Sequence, residues 1–418
     1  MMTGKERVCK VLSHQEADRI ALDFGATPVT GIHVKVIAEL REHYGLEAKP
    51  VKVVEPFQML GEVDEDLVRI WNVDTVAAGG TSDMFGHKQE NFVEKRMPWG
   101  QTVLLPELFH MKEEKGNIYA FPQGDTSCAP AAVMPEGGYF FDAIERGQAT
   151  ELDAELNIED NMEEFGLMTD ADIAYWKNKL TGARATGKAV VANLGGTGMG
   201  DIALVPGLSL KNPKGIRAIA DWYMSTMMRA DFIREIFDRQ SDIAIQNLEK
   251  VNKIAGDCID VAYICGTDFG TQNSQFCSAE SLVELYGPAY RKINNWVHQN
   301  TQWKTFKHSC GAIVPLLDTF IDLGFDIVNP VQINADGMDP QFLKNTFGDR
   351  ISFWGGGVDT QRVLQLGTPE QVKEQVGQLC EIFGANGGFV FTSVHNIQAN
   401  VPIKNVIALM DAVSEIRK

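Results

Sequence analysis

The sequence has few basic residues for its length and no long apolar run. Its 418 residues include 38 Lys and Arg against 56 Asp and Glu, which gives a formal net charge of −18. A surface of this sign repels nucleic acid and anionic membranes, so we expect neither as a partner. No stretch reaches the ~18 apolar residues of a membrane span. The opening segment MMTGKERVCKVLSHQE has no apolar h-region, so a secretory signal is not expected.

A disulfide framework is also missing. The seven cysteines are odd in number and irregularly spaced, and no C-x-x-C motif occurs. Because such cysteines are typical of a reducing compartment, we expect a cytoplasmic protein with free thiols. The cysteines are Cys9, Cys128, Cys258, Cys265, Cys277, Cys310 and Cys380.

The sequence lacks a glycine motif for dinucleotide binding. The nearest candidate, GGTGMGD at 195–201, fails the G-x-G-x-x-G pattern in either register, because Thr197 or Asp201 stands where a glycine is required. A nucleotide-binding, doubly wound sheet is therefore disfavoured.

Short apolar runs alternate with helical patterns along much of the chain. This alternation predicts parallel strands joined by right-handed crossovers. We interpret it as an α/β fold, a (β/α)8 TIM barrel that forms a single domain over residues 1–418. The predicted strands are ADRIALDFG (17–25), AVVANLGG (189–196), CIDVAYIC (258–265), WKTFKH (303–308), FDIVNP (325–330), ISFWGG (351–356) and GGFVFTS (387–393).

The first half of the chain has a weaker pattern. Ile32 to Tyr44 predicts the helix that follows the first strand. Residues 84–142 contain Gly, Pro and aromatic residues with little helical periodicity, and they predict a β-rich insertion or lid. In the second half, a single helix is predicted from about Ser278 to Asn300.

Polar side chains follow the predicted strands at the points where those strands end. In a barrel these ends share one face, which is where active sites are built. Helix capping accounts for an aspartate at such a position, but not for two histidines and a cysteine. The residues concerned are Asp268, His308, Cys310, Gln332, Asp359 and His395.

His308 and Cys310 form an H-x-C pair at the end of a strand. In extended chain, residues i and i+2 point the same way, so both side chains can bind one ion. An imidazole and a thiolate suit zinc. His395 reaches this pair only if the sheet closes into a barrel, and three protein ligands would leave one position open, as in catalytic zinc sites. The alternative is that His395 is a buried histidine bonded to the backbone.

The segments around these residues resemble the uroporphyrinogen-decarboxylase-like superfamily, in its branch of zinc- and corrinoid-dependent methyltransferases. The resemblance covers most of the chain outside 84–142. The motifs that carry it are KHSCG, DLGFDIVNP, GGGVDTQ, the opening GKERVCKVLSHQEADRIALDFG and the segment GTDFGTQNSQFCSAESLVELYGPAYRKI. In that branch zinc is bound by a His-x-Cys pair and a later cysteine. Here His395, shortly before Pro402, occupies the place of the later cysteine.

The resemblance implies transfer of a methyl group to or from a corrinoid. This chain has no D-x-H-x-x-G corrinoid motif, so the cobalamin would be carried by a partner protein. Uroporphyrinogen decarboxylases themselves hold substrate carboxylates with two nearby arginines, but here no arginine follows Arg19 in the matching stretch. The related cobalamin-independent methionine synthases are much longer chains.

The expected activity is transfer from a small O-methyl or N-methyl donor, such as a methoxylated aromatic or methanol, to Co(I). One thiolate and two neutral imidazoles leave a zinc site with a charge of about +1, which favours an oxygen donor. The alternatives are a methylcobalamin:thiol methyltransferase of the coenzyme M type, a zinc-free enzyme of the decarboxylase type, and a corrinoid chaperone without catalytic activity.

Further polar residues are candidates for the remaining roles. Asp268 is a candidate fourth zinc ligand or proton donor. Gln272, Asn273, Gln332 and Asp359 are candidates for contacts with a small methylated substrate. A homodimer is compatible with the sequence.

Overall fold

The computed structural model describes residues 2–147 and 155–416. Its strands, in chain order, are β1 (Ala21–Leu22), β2 (Ile32–His33), β3 (Val51–Glu55), β4 (Leu60–Gly61), β5 (Thr75–Ala78), β6 (Phe92–Arg96), β7 (Thr102–Pro106), β8 (Met111–Glu114), β9 (Asn117–Ala120), β10 (Ala132–Met134), β11 (Asp142–Ala143), β12 (Ala189–Ala192), β13 (Val261–Cys265), β14 (Lys304–His308), β15 (Ile327–Asn329), β16 (Ser352–Trp354) and β17 (Phe389–Phe391).

Helices connect most of these strands in the second half of the chain. The α-helices are α1 (Gly4–Val11), α2 (Val34–His43), α3 (Glu65–Trp71), α4 (Asp170–Ala185), α5 (Ile219–Met228), α6 (Ala230–Ala255), α7 (Ala279–Leu285), α8 (Gly287–Asn300), α9 (Val314–Asp322), α10 (Pro340–Phe347), α11 (Val363–Leu366), α12 (Pro369–Gly384) and α13 (Ile403–Ile416). Two short 3-10 helices lie at Pro122–Gly124 and Ile158–Asn161.

Eight parallel strands form the central sheet, in the order β1-β17-β16-β15-β14-β13-β12-β5. The two end strands meet through Asp74, which precedes β5. Its backbone N–H donates to the carbonyl of Leu22 at 2.9 Å, and its side chain accepts from the Leu22 N–H at 2.9 Å. The sheet is therefore a nearly closed barrel, and the predicted TIM-barrel fold class is confirmed.

The barrel strands are buried on both faces, because helices cover the outside and side chains fill the inside. In β13, Val261 and Tyr263 point into the barrel, whereas Ala262 and Ile264 pack in the cluster between strands and helices. Helix α1 adds Val8, Val11 and Leu12 to the interior cluster. It contacts β1, β5, β12 and β17 and closes the amino-terminal end of the barrel.

The predicted β-rich character of residues 84–142 is confirmed, since β6 to β10 lie there and β11 begins there. Strands β8–β11 form a four-stranded sheet of their own. Strands β6 and β7 join β2, β3 and β4 in a five-stranded sheet, with β7 pairing parallel to β3. The strands between 32 and 61 were not predicted. The β-structure outside the barrel therefore includes residues before the predicted region 84–142.

Two predicted helix boundaries are wrong. The helix predicted from Ser278 to Asn300 is two helices, α7 and α8, which meet at Tyr286. Pro288 explains the break, because proline has no backbone N–H and its ring disturbs the preceding turn. The helix predicted from Ile32 begins at Val34, since Ile32 and His33 pair with β4.

No helix within the described ranges combines the length and the apolar character that crossing a membrane requires.

Candidate metal and active site

His308 stands at the carboxyl end of β14, and its imidazole is buried. Its Nδ1 lies 2.6 Å from the side-chain oxygen of Asn329, at the end of the neighbouring strand β15. The amide nitrogen of Asn329 donates to the carbonyl of Trp354 at 2.7 Å, so the amide oxygen is the atom that faces His308. Nδ1 is therefore the donor, and Nε2 carries the lone pair that is free to bind a metal.

Cys310 follows two residues later, and its side chain lies beside the imidazole of His308. Its Sγ lies 3.5 Å from Nε2 of His308. Its backbone N–H donates to the carboxylate of Asp268 at 2.6 Å. The Asp268 oxygen that accepts this bond is also 3.6 Å from Nε2 of His308. The loops after β13 and β14 thus bring a thiol, an imidazole and a carboxylate together.

Two glycines allow these loops to touch through their backbones. A Cβ on Gly311 would lie 2.4 Å from the carbonyl carbon of Gly270, and Gly311 has a positive φ of 92°. A Cβ on Gly270 would lie 2.5 Å from the carbonyl oxygen of Cys310. A side chain at either position would therefore force the loop that carries Cys310 away from the loop that carries Asp268.

His395 completes the set from the segment after β17. Its ring centroid is 5.5 Å from that of His308, at an interplanar angle of 71°. One ligand atom from each of His308, Cys310 and His395 lies within 4.8 Å of the other two. Among the described residues, this is the one group of three or more His, Cys, Asp or Glu side chains close enough to bind a metal ion together.

The donor set fits zinc. With Zn–S near 2.3 Å and Zn–N near 2.05 Å, a tetrahedral ion would hold its sulfur and nitrogen ligands about 3.6 Å apart. The observed separation between Sγ of Cys310 and Nε2 of His308 is 3.5 Å. A set of one thiolate and two imidazoles is typical of zinc, and three protein ligands leave a fourth position open.

Burial controls the charges of the three side chains when no metal is bound. It raises the pKa of the Cys310 thiol well above its ordinary value, and the Asp268 carboxylate raises that pKa further. It lowers the pKa of His308, against the influence of Asp268. It lowers the pKa of His395 to about 4. Both imidazoles are thus neutral at neutral pH, and metal binding would release the proton of the thiol.

The predicted substrate-contact residues lie on loops that follow barrel strands, and two of them, Gln332 and Gln272, bond to each other. Gln332 accepts from the Gly311 N–H at 2.8 Å and donates to Gln272 at 3.1 Å. Asp359 accepts at 2.8 Å from the N–H of Gln361. Asn273 is exposed. Gln272, Gln332 and Asp359 thus hold loops at the carboxyl end of the barrel, and contact with substrate remains a prediction for all four residues.

Sequence reasoning missed several polar side chains around this site. Asn329 belongs to the predicted strand FDIVNP, and a polar residue at a strand end next to the H-x-C strand was the signal that could have found it. Asp201 belongs to GGTGMGD, which was judged only against the dinucleotide motif. Tyr223 and Tyr263 had no signal in the sequence, because aromatic residues in helices and strands are ordinary core residues.

Comparison with known proteins agrees with the fold. The uroporphyrinogen decarboxylase (URO-D) family model matches residues 213–416, the part of the chain that contains His308, Cys310 and His395. The second half of the chain is therefore similar in sequence to this family. The resemblance predicted from the motifs is confirmed, and the second half of the chain carries the family match. No curated protein matches the sequence.

Among solved structures, a methyltransferase from Methanosarcina mazei is similar over 99% of this chain and 99% of its own, with a TM-score of 0.54 and 14% identity. At this identity the likeness shows the fold alone. D-psicose 3-epimerase aligns over 59% of this chain and 83% of its own, with 12% identity and a TM-score of 0.33. Endo-glycoceramidase II from Rhodococcus sp. aligns over 55% and 61%, with 11% identity and a TM-score of 0.31. These two matches carry no functional argument.

Proposed function

We propose that this protein is a zinc-dependent methyltransferase. It would move a methyl group from a small O-methyl donor, or less favourably an N-methyl donor, to the Co(I) corrinoid of a partner protein. The observation that carries the proposal is the meeting of His308, Cys310 and His395 at the carboxyl end of the barrel strands. The family match and the similarity in fold to the Methanosarcina mazei methyltransferase support a methyltransferase.

The chain's own residues would hold the metal and set its charge. His308, Cys310 and His395 are the three ligands, and Asn329 fixes the ring of His308. When bound, zinc would supply Lewis acidity to a leaving oxygen. One thiolate with two neutral imidazoles leaves a charge of about +1 at the metal, which favours an oxygen donor over a thiol acceptor.

A decarboxylase that recognises carboxylates has less support. Arg19, the arginine of the first predicted strand, donates to Asp74 at 2.6 and 2.7 Å. Both residues directly precede barrel strands, so this ion pair lies at the amino-terminal end, opposite the candidate metal site. Arg19 is therefore not placed to bind a substrate carboxylate beside His308.

Elemental analysis and a methyl-transfer assay test the proposal. We expect about one zinc per chain in the full-length wild type and near-complete loss of zinc in Cys310→Ala. Cys9→Ala is the matched control, because Cys9 lies on α1 at the opposite end of the barrel. A metal-free wild type with full activity would contradict the zinc site.

The assay is anaerobic and follows methyl–cobalt formation by visible absorbance. The protein alone should turn over no methyl donor, whereas a Co(I) corrinoid protein, or less effectively free cob(I)alamin, should be methylated. Methoxylated aromatics, methanol and methylamines form the donor panel. If only methyl–cobalt and a thiol react, the direction is wrong; if neither direction reacts, the methyltransferase proposal fails.

A further inference from the structure

A second group of oxygen-bearing side chains lies near the carboxyl ends of β12 and β13, and β13 is the neighbour of the strand that carries His308. Asp201 follows β12, and Tyr263 belongs to β13. Both approach Gly266: a Cβ built there would lie 2.6 Å from Oδ2 of Asp201 and 2.7 Å from the hydroxyl of Tyr263. Because Gly266 has no side chain, the carboxyl group and the phenol share the space beside it.

Tyr263 lies on β13, the strand that leads to Asp268. Its ring lies inside the barrel against Phe306, with ring centroids 5.4 Å apart. Burial raises the pKa of its hydroxyl well above the ordinary value, and charges on Asp201, Asp268 and Cys310 raise it further. The hydroxyl therefore keeps its proton and can donate a hydrogen bond in the space that it shares with Asp201.

Tyr223 approaches the same group from α5. Its ring stacks on Phe276, with centroids 5.1 Å apart. Its hydroxyl is buried and has no hydrogen-bond partner among the described residues. The pKa of this hydroxyl is raised to about 12, first by burial and then by the charges of Asp268 and Asp201. A buried hydroxyl without a hydrogen-bond partner is suited to bind an oxygen atom of a ligand.

The surroundings of Asp201 favour its protonated form. Its pKa is raised to about 6, chiefly by burial, and the Asp268 carboxylate acts in the same direction. The Ala203 N–H, which donates to Oδ1 at 3.1 Å, and the Lys307 ammonium act against this shift. Among the described residues, Tyr223 and Tyr263 are further titratable groups whose pKa the Asp201 charge affects. A carboxyl group whose pKa is raised towards neutral pH is better matched to general acid catalysis than an ordinary aspartate.

We propose that Asp201 is the general acid that protonates the leaving oxygen of the methyl donor, while the hydroxyls of Tyr223 and Tyr263 hold that oxygen. This inference rests on the proposed function and narrows the substrate class to methyl ethers and methanol. The methyl carbon–oxygen bond breaks with both electrons going to oxygen, and the Co(I) of the partner supplies the electron pair of the new carbon–cobalt bond. The proton of Asp201 converts the oxygen anion to an alcohol or phenol, or to water when methanol is the donor, and a proton from solvent then restores the carboxylic acid.

The test compares donors that differ in how much their leaving oxygen needs a proton. Methanol and methoxybenzene have poor leaving groups, hydroxide and phenolate. Methyl 4-nitrophenyl ether releases the more stable 4-nitrophenolate. Asp201→Asn should slow transfer from the first two donors about 100-fold or more but slow the nitrophenyl donor only slightly. Its zinc content should equal that of wild type. Asp336→Asn, at an exposed position on the loop after β15, is the control and should leave all rates unchanged.

A second variant keeps the test independent of the folding of Asp201→Asn. Tyr263→Phe retains the ring that packs on Phe306 and removes only the hydroxyl, so it should weaken binding of the phenol product and slow the poor donors. Equal slowing of every donor by Asp201→Asn, or no slowing, would overturn the assignment of the acid. Wild-type transfer from tetramethylammonium that exceeds transfer from every methyl ether would overturn the substrate class. A wild type that methylates no corrinoid from any donor would refute the proposed function itself.

Discussion

The side-chain oxygen of Asn329 lies 2.6 Å from Nδ1 of His308 and fixes which ring nitrogen can bind a metal. The two residues end neighbouring strands, β14 and β15, and pair in register. Asn329 is itself fixed by its bond to the Trp354 carbonyl on β16. Three consecutive barrel strands therefore contribute to the orientation of one imidazole.

Replacing Asn329 with leucine should weaken metal binding. Leucine has a similar volume but accepts no hydrogen bond from Nδ1, so His308 loses its fixed orientation. We expect zinc affinity to fall 10- to 100-fold, measured by competition with a chromophoric chelator. The unfolding free energy should also fall by about 1–3 kcal/mol, since Nδ1 and the Trp354 carbonyl lose their partners. Asn405→Leu, which removes a buried asparagine remote from the site, should cost stability without changing zinc affinity. Unchanged zinc affinity in Asn329→Leu would contradict the role of this bond.

His395→Cys should keep the zinc and change its reactivity. A cysteine at this position gives the ligand set of the resembling methyltransferases, and the second thiolate would lower the charge of the site by one. Transfer from O-methyl donors should slow, whereas reaction of a thiol with methyl–cobalt should be slowed less.

His395→Ala should lose activity but melt near the wild-type temperature, because an open catalytic site contributes less to folding than a closed structural one. A collapse of folding in His395→Ala would instead indicate a structural metal.

The stability of the metal-free protein should depend on pH through His395. Its pKa is about 4 in the folded state, against about 6.5 in an unfolded chain. Between these values the unfolded state binds more protons, so the unfolding free energy falls as the pH falls from 6.5 to 4. The loss reaches roughly 3 kcal/mol.

A variant isolates this contribution from those of other buried groups. In His395→Gln, denaturant unfolding with a chelator present should lack the corresponding share of the acid sensitivity. The difference between wild type and variant should be nearly constant above pH 7 and shrink towards pH 4. A difference that stays constant over the whole range would show that His395 is not buried in its neutral form.

Lys307 is expected to stabilise the site by bonding to the backbone of the two segments that carry Asp268 and His308. Its ammonium is buried and donates to the carbonyls of Thr267 and His308, both at 2.5 Å. It also lies 4.8 Å from the ring centroid of Phe269. Lys307→Met would leave both carbonyls without their donor and loosen the loop that carries Asp268. We expect a loss of about 1–3 kcal/mol or more in unfolding free energy, together with weaker zinc binding. Lys304→Met, on the same strand but partly exposed, should change stability by less than about 1 kcal/mol. Equal effects of the two substitutions would contradict this role.

The barrel and the metal ligands could be predicted because their signals are local. Runs such as VAYIC are apolar, short and bounded by turn residues, and the H-x-C spacing places two ligands on one side of a strand. Strand β5 was missed because TVAA is only four residues of weak hydrophobicity. Its strand character depends on pairing with β12, which no local pattern contains.

The remaining polar residues could not be predicted for a related reason. The bond between Asn329 and His308, the approach of Asp201 to Tyr263 and the break between α7 and α8 depend on how separate segments pack. An asparagine before a proline, as in Asn329–Pro330, is typical of a loop and gives no sign of a histidine on the neighbouring strand. The proposed proton donor was therefore visible only after folding had placed it beside Gly266.

The closed amino-terminal end of the barrel has a consequence for the order of events. Val8, Val11 and Leu12 fill the amino-terminal end of the barrel. The small methyl donor and the much larger corrinoid would therefore both enter at the carboxyl-terminal end. A corrinoid protein bound at that end would prevent a small substrate or product from leaving the barrel. On the proposed function, turnover is thus a compulsory sequence in which the small molecule enters first and its demethylated remainder leaves last. An excess of partner would then slow the reaction by occupying empty enzyme.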